Sequence, residues 1–137
     1  MYNIGYTTGV FDLFHIGHLN ILRRAKEMCR YLIVGVSTDE TVMAYKNKAP
    51  VIPFSERIEI VRAIRFVDEA VPQTDMDKMH AWNELHFDVL FHGDDWKNTA
   101  LYDKYIADFK QVGVDVVFFP HTQGTSSTMI SSRLHGG

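Results

Sequence analysis

With 137 residues, 46% of them hydrophobic and 23% charged, the chain has the makeup of one globular domain able to bury a sizeable core. A net charge of −3 and the lack of any lysine/arginine block exclude a general polyanion binder. A local site for a small phosphate ligand stays open. Cys29 is the single cysteine, which excludes an intrachain disulfide and a cysteine-built metal centre; its setting in "AKEMCRYLIV" marks a small buried side chain. The N-terminus enters a strand pattern with no leader-like segment, and no apolar run approaches membrane-spanning length. A cytoplasmic enzyme or binding module is expected, with neither a membrane nor a nucleic acid as partner.

In chain order, "NIGYTTG" reads as a first strand and "HLNILRRAKEMC" as a helix with Leu19, Leu22, Ala25 and Met28 on one face. "YLIVGVS" is a second strand, a continuous apolar run of the kind found in sheets covered on both sides. A polar stretch, "TDETVMAYKNKAPVIPF", leads to the helix "SERIEIVRAIR", where Ser55 is the expected N-cap and Ile58, Val61 and Ile64 face inward. "VDEAVP" is a third strand, "MDKMHAWNELH" a third helix and "FDVLFHG" a fourth strand. "TALYDKYIADFKQVG" is a fourth helix ended by Gly113, and "VDVVFFP" a fifth strand. The segment "HTQGTSSTMISSRLHGG" reads as a glycine/serine turn and a short helix. Alternation of this kind predicts an α/β fold: a single Rossmann-like doubly wound domain over residues 1–137, about five parallel strands flanked by helices. Its ligands bind beyond the carboxyl ends of the strands.

Chemistry-bearing residues follow the strands in this reading. Phe11, Asp12, His15, Gly17 and His18 come after the first; Asp39, Lys46 and Lys48 after the second. Gly93, Asp94, Asp95 and Trp96 come after the fourth; His121, Thr122 and "GTSST" after the fifth. Loops at one end of a sheet meet in space, so these residues are expected to converge. No G-x-G-x-x-G, G-x-x-x-x-G-K-[ST], H-E-x-x-H or G-x-S-x-G occurs, which sets aside the dinucleotide, P-loop, zincin and hydrolase signatures. His15 and His18, three apart around Gly17 where a strand gives way to a helix, admit three readings: zinc ligands, structural residues packing a helix start, or ligand donors. A helix start needs a cap; it does not call for two imidazoles.

The stretch "GVFDLFHIGHLNILRRAKEMCRYLIVGVSTDE" resembles the signature region of the nucleotidyltransferase superfamily bearing an H-x-G-H motif. With "SERIEIVRAIRFVDEAVP", "FDVLFHGDDW" and "TQGTSST", the resemblance spans nearly the whole chain and is nearest to the small bacterial glycerol-3-phosphate cytidylyltransferases. Class I aminoacyl-tRNA synthetases share H-x-G-H, but 137 residues leave no room for tRNA-binding domains. The "SST" turn would also suit phosphopantetheine adenylyltransferases. The resemblance implies that a phosphomonoester oxygen attacks the α-phosphorus of CTP in line and pyrophosphate leaves. Glycerol 3-phosphate is the expected acceptor, and the product a CDP-linked polyol for surface polymers such as teichoic acid or capsule. Ribitol 5-phosphate, ethanolamine phosphate, adenylyl transfer and non-catalytic nucleotide binding are the alternatives.

The resemblance also implies roles. His15 and His18 donate to oxygens of the transition state, Lys46 (or Lys48) sits on the α-phosphate, and Arg57 on the triphosphate. Thr8, Gly9, Phe11, Asp12 and Gly17 wrap the nucleotide phosphates; Gly93, Asp94, Asp95 and Trp96 flank base and ribose. His121, Thr122, Ser126, Ser127 and Thr128 take the outer phosphates. His121, where the family commonly has arginine, and Thr125, where it has isoleucine, depart from the pattern. Arg65 and Lys78 are acceptor-phosphate candidates by position. Mg²⁺ is expected with CTP, touched by Asp12 or Asp39. The family generally pairs as homodimers, which puts the contact at Arg65 to Glu69.

Overall fold

In a computed structural model of the protein, which describes residues 1–94, 99–120 and 130, five parallel strands form one sheet in the order β3-β2-β1-β4-β5. Along the chain these are β1 (Tyr2–Gly9), β2 (Cys29–Ser37), β3 (Glu69–Gln73), β4 (Val89–Gly93) and β5 (Asp115–Phe119). The helices are α1 (Ile16–Met28), α2 (Asp39–Lys46), α3 (Phe54–Arg62), α4 (Lys78–Leu85) and α5 (Ala100–Gln111). Strand alternation divides the core into two layers. Leu32, Val34 and Val36 of β2 and Val89 and Phe91 of β4 pack with Leu22, Ala25, Ile58 and Val61 of α1 and α3. Tyr6, Ile33 and Leu90 point the other way, against Phe87, Phe109 and residues of α4 and α5. Both faces are covered, which is why β2 reads as an unbroken apolar run.

The chain winds outward from β1 to β3, then returns through α4 over two strands to pair β4 with the far side of β1. The β1/β4 seam is therefore the switch point, and the carboxyl ends of those strands open the crevice.

Among the described residues the expected elements stand, with three corrections; the turn and short helix expected over 121–137 lie, residue 130 apart, outside them. The polar stretch after β2 holds a helix, α2: Thr38 caps it, its Oγ accepting from Thr41 N–H at 3.2 Å, and Asn47 ends it in the left-handed region at φ 53°. The acidic pair Asp39 and Glu40 after a threonine was the available signal. Second, α3 begins at Pro53 with no side-chain cap, and Ser55 lies inside the first turn. Third, α3 ends at Arg62, so Ile64 lies beyond it, but Ile64 still packs half-buried against the core with Ile58 and Val61, as the spacing predicts. Gly113, at φ +78°, turns the chain after α5.

Candidate active site

A cleft of about 570 Å³ lies at the switch point, between Thr7, Thr8 and Gly9 ending β1 and His92 and Gly93 ending β4. The β1–α1 loop, His18, Lys46, Lys48 and the 49–51 segment complete its walls.

The H-x-G-H histidines form the start of α1 themselves. His15 is the N-cap, and its Nδ1 accepts from Gly17 N–H at 3.0 Å; His18, at the third helical position, accepts from His15 N–H at 3.2 Å, also through Nδ1. This is a capping box built from two imidazoles. An Nδ1 that accepts carries no proton, so in both neutral rings the proton sits on Nε2. The rings stack at 4.0 Å between centroids. Phe11 and Phe14, at 5.4 and 5.2 Å from the His18 ring, hold it in place. Burial pushes His18 down to about 4, helped by the neighbouring His15, and lowers His15 as well. At neutral pH the pair is thus two uncharged N–H donors at a helix N-terminus. The structural and the ligand-donor readings are one arrangement: capping with Nδ1 is what aims Nε2.

The depressed value of His18 has a consequence for stability. The unfolded chain takes up this proton near pH 6.5, the folded protein only near pH 4, so the contribution is intact above 6.5 and lost as pH falls toward 4. His18→Asn, whose side-chain oxygen can still accept from His15, should flatten that part of the profile by up to about 3 kcal/mol. Urea unfolding of both proteins across this range measures it; parallel profiles would show that His18 titrates normally.

The loop before α1 is locked. Phe11 and Leu13 are held at φ 55° and 49°, conformations that bulky residues adopt only under constraint. Between them, Asp12 accepts from Val51 N–H at 2.8 Å and Ile52 N–H at 2.9 Å, tying this loop to the segment beyond the lysines. Lys46 is the last residue of α2, not a loop residue, and is exposed; Lys48 follows Asn47, and both line the cleft. A turn with φ > 0 between them points them from different backbone directions at one space.

Arg57 requires the largest correction. Its side chain is 0% exposed, and its guanidinium donates to the carbonyls of Ile52 (2.8 Å), Val10 and Ser37 (both 2.7 Å) and to Asp39 Oδ1 (2.7 Å). It straps three loops together beneath the cleft rather than facing a triphosphate. Asp39 is committed likewise, its second oxygen accepting from Phe54 N–H at 3.2 Å, and it does not line the cleft. Among the described residues no group of three or more His, Cys, Asp and Glu is placed to hold a metal ion. Arg65 is also not brought to the cleft. It lies in the turn entering the amino end of β3, over the Phe66 ring at 5.0 Å. That turn is anchored by Asp68, which accepts from Leu32 N–H and Lys26 at the opposite end of the sheet.

Lys78 does not line the cleft but is brought to its edge. It is the first residue of α4 and 3% exposed, and its Nζ donates to Thr8 Oγ at 2.7 Å. Burial lowers its pKa to about 8 against the opposing pull of Asp75. Gly93 ends β4 with open space around its Cα, and Asp94 follows it. Asp95, Trp96, His121, Thr122, Ser126, Ser127 and Thr128 lie outside the described residues. Sequence reading missed His92, a cleft residue taken for part of a strand; a histidine at a strand's carboxyl end beside Gly93 was the available signal.

A doubly wound α/β domain whose switch-point cleft is lined by His18 of an imidazole-capped helix N-terminus, with His15 stacked behind it, and by Lys46 and Lys48 is built to hold a phosphorylated nucleotide. The chain belongs to the cytidylyltransferase-like family, whose sequence model matches residues 6–133. It is 37% identical over 131 residues to the glycerol-3-phosphate cytidylyltransferase of Bacillus subtilis (strain 168), covering 95% of each chain. Identity to the ethanolamine-phosphate cytidylyltransferase of Mus musculus is 36% over 127 residues, covering 92% of this chain and 31% of that one. Among solved structures, the lipopolysaccharide core biosynthesis protein of Thermoplasma volcanium GSS1 shares the fold with a TM-score of 0.74 at 24% identity, covering 91% of this chain and all of that one.

Proposed function

We propose that the protein is a nucleotidyltransferase that moves the cytidylyl group of CTP onto a small phosphomonoester, glycerol 3-phosphate first among them, releasing pyrophosphate. The observation that carries this reading is the 37% identity to a glycerol-3-phosphate cytidylyltransferase along 95% of both chains. A phosphate oxygen of the acceptor is already ionised at neutral pH, so no base is needed. It attacks the α-phosphorus, the bond to the β-phosphate oxygen breaks, and the electron pair leaves with pyrophosphate. What remains for the protein is positioning and the stabilisation of charge on the α-phosphate and leaving group. His15 and His18 supply uncharged donors, Lys46 and Lys48 positive charge, and Lys78 holds the acceptor phosphate beside Thr8.

Mg²⁺ enters with CTP in this reading. Asp12 lines the cleft, and on the same reading its carboxylate would hold a water of the ion's shell. When bound, the ion offsets charge on the phosphates. We further propose a homodimer with its contact at Arg65 to Glu69, a turn that the cleft leaves unused, and a cytoplasmic location, where CTP is available. Among the described residues no helix is long and apolar enough to cross a membrane.

Pyrophosphate release from CTP, measured with glycerol 3-phosphate, ribitol 5-phosphate and ethanolamine phosphate, tests the reading. Turnover with another acceptor alone would keep the reaction and refute the substrate. A thermal-shift panel in which ATP stabilises more than CTP would refute the cytidylyl assignment. Lys78→Met should raise KM for the acceptor by roughly tenfold or more, the usual loss for one hydrogen bond to a charged group, while CTP affinity holds. Equal acceptor KM in both proteins would remove Lys78 from the acceptor site.

A further inference from the structure

The start of α4 is fastened more firmly than a helix N-terminus requires. Asp77 caps it, accepting from the N–H groups of Met79 and His80 at 3.0 and 3.4 Å. Two residues further back, Asp75 accepts from Asp77 N–H at 2.9 Å through one oxygen and lies 2.7 Å from His80 Nδ1 through the other. The Tyr105 hydroxyl donates to the Met76 carbonyl at 3.0 Å.

The anchor of this segment is buried in the sheet. Gln73, 4% exposed at the end of β3, donates from Nε2 to the Asp75 carbonyl at 2.6 Å, and its Oε1 accepts from the Tyr6 hydroxyl. Tyr6 is 1% exposed, its ring stacked on Phe87 at 4.8 Å. Gly35, on the strand between them, makes the room: a Cβ there would run into the Tyr6 hydroxyl and stand 3.0 Å from Gln73 Oε1. Apolar residues of the same shape would fill this layer at least as well, so a fully satisfied polar pair points to something that it specifies rather than to stability. The residue that leaves the fastened segment is Lys78, and its ammonium ends at Thr8 on the rim of the cleft.

We infer that Tyr6 and Gln73 are positioning residues for Lys78: the hydroxyl–amide pair seated under Gly35 fixes segment 74–77 and so aims the lysine at the end of β1, where, on the function proposed above, it meets the acceptor phosphate. The pair touches no substrate. Its effect belongs to one substrate only.

Steady-state kinetics with CTP and glycerol 3-phosphate test this. Gln73→Met should raise KM for the acceptor roughly three- to tenfold, the range of one or two buried neutral hydrogen bonds, with KM for CTP and kcat at saturating acceptor unchanged. Tyr6→Phe keeps the stacked ring and the bond from Gln73 to Asp75, so it should move the same constant less; it also carries the test if Gln73→Met does not fold. In a Lys78→Met background, Gln73→Met should add nothing. Equal rises for both substrates, or full additivity with Lys78→Met, would overturn the proposal. Nuclear magnetic resonance of the Lys78 Cε carbon gives a readout free of any acceptor. Gln73→Met should move its titration upward toward that of an ordinary lysine. If Lys78→Met leaves the acceptor KM unchanged, the reading of Lys78 as a phosphate contact fails, and the titration alone decides: a Lys78 signal unmoved in both variants overturns the positioning role.

Discussion

Arg57→Leu destabilises the protein by about 3–5 kcal/mol, the loss expected when one partner of a buried ionic network is removed and the others are left unpaired. The guanidinium is fully buried, and it donates at once to Val10, Ser37, Ile52 and Asp39. In a domain of this size the loss should lower Tm by roughly 10 °C or more. Arg57→Lys keeps the charge but has a single point donor where a planar fork meets four acceptors, so it should recover only a minor part. Thermal and urea unfolding measure both. Because the same guanidinium joins the β1–α1 loop to the start of α2 and to Ile52 before α3, CTP binding should weaken in step with stability. A variant that lost CTP affinity at unchanged Tm would restore Arg57 to the triphosphate.

His18→Asn lowers kcat by roughly 10²–10³, the usual effect of deleting one preorganised donor to a developing oxyanion. Asparagine places an acceptor near the position of Nδ1, so the bond from His15 N–H can persist and α1 can keep its start; what goes is the Nε2–H. CTP affinity should change little, since the interaction strengthens as charge builds in the transition state. His18→Ala should show the same kcat with an added loss of about 1 kcal/mol from the missing cap. Because burial keeps His18 neutral down to about pH 4, the rate it supports should be level from pH 6 to 8. An unchanged kcat in His18→Asn would take His18 out of the chemistry. A wild-type rate falling with an apparent pKa near 6.5 as pH rises would show that the imidazolium is the working form.

Much of this was legible in the linear chain. Alternating apolar runs and 3.6-residue spacing determine the order of strands and helices. The strict βα order, with the handedness of crossovers, determines a parallel sheet whose carboxyl ends gather the loops. Hence the convergence of His18, the two lysines and Gly93 on one cleft follows from the chain order alone. Motif spacing carried His15 and His18, because a helix N-terminus is a local object.

Roles that depend on distant partners were not legible. An arginine on a helix face has the same local pattern whether it meets a ligand or backbone carbonyls. Only the arrival of Val10 just after β1 and Ser37 at the end of β2 buries Arg57 and decides the matter. Arg65 and Lys78 were alike as cations at the ends of expected helices, yet one precedes the amino end of β3 and the other follows its carboxyl end, so they lie at opposite ends of the sheet. The Tyr6–Gln73 pair, separated by 67 residues, leaves no periodic trace at all. Local sequence determines which elements form and which face is apolar, since those follow from backbone geometry and water exclusion. Which charged group faces the ligand is decided by the tertiary structure, because a buried cation is defined by acceptors that only the folded chain assembles.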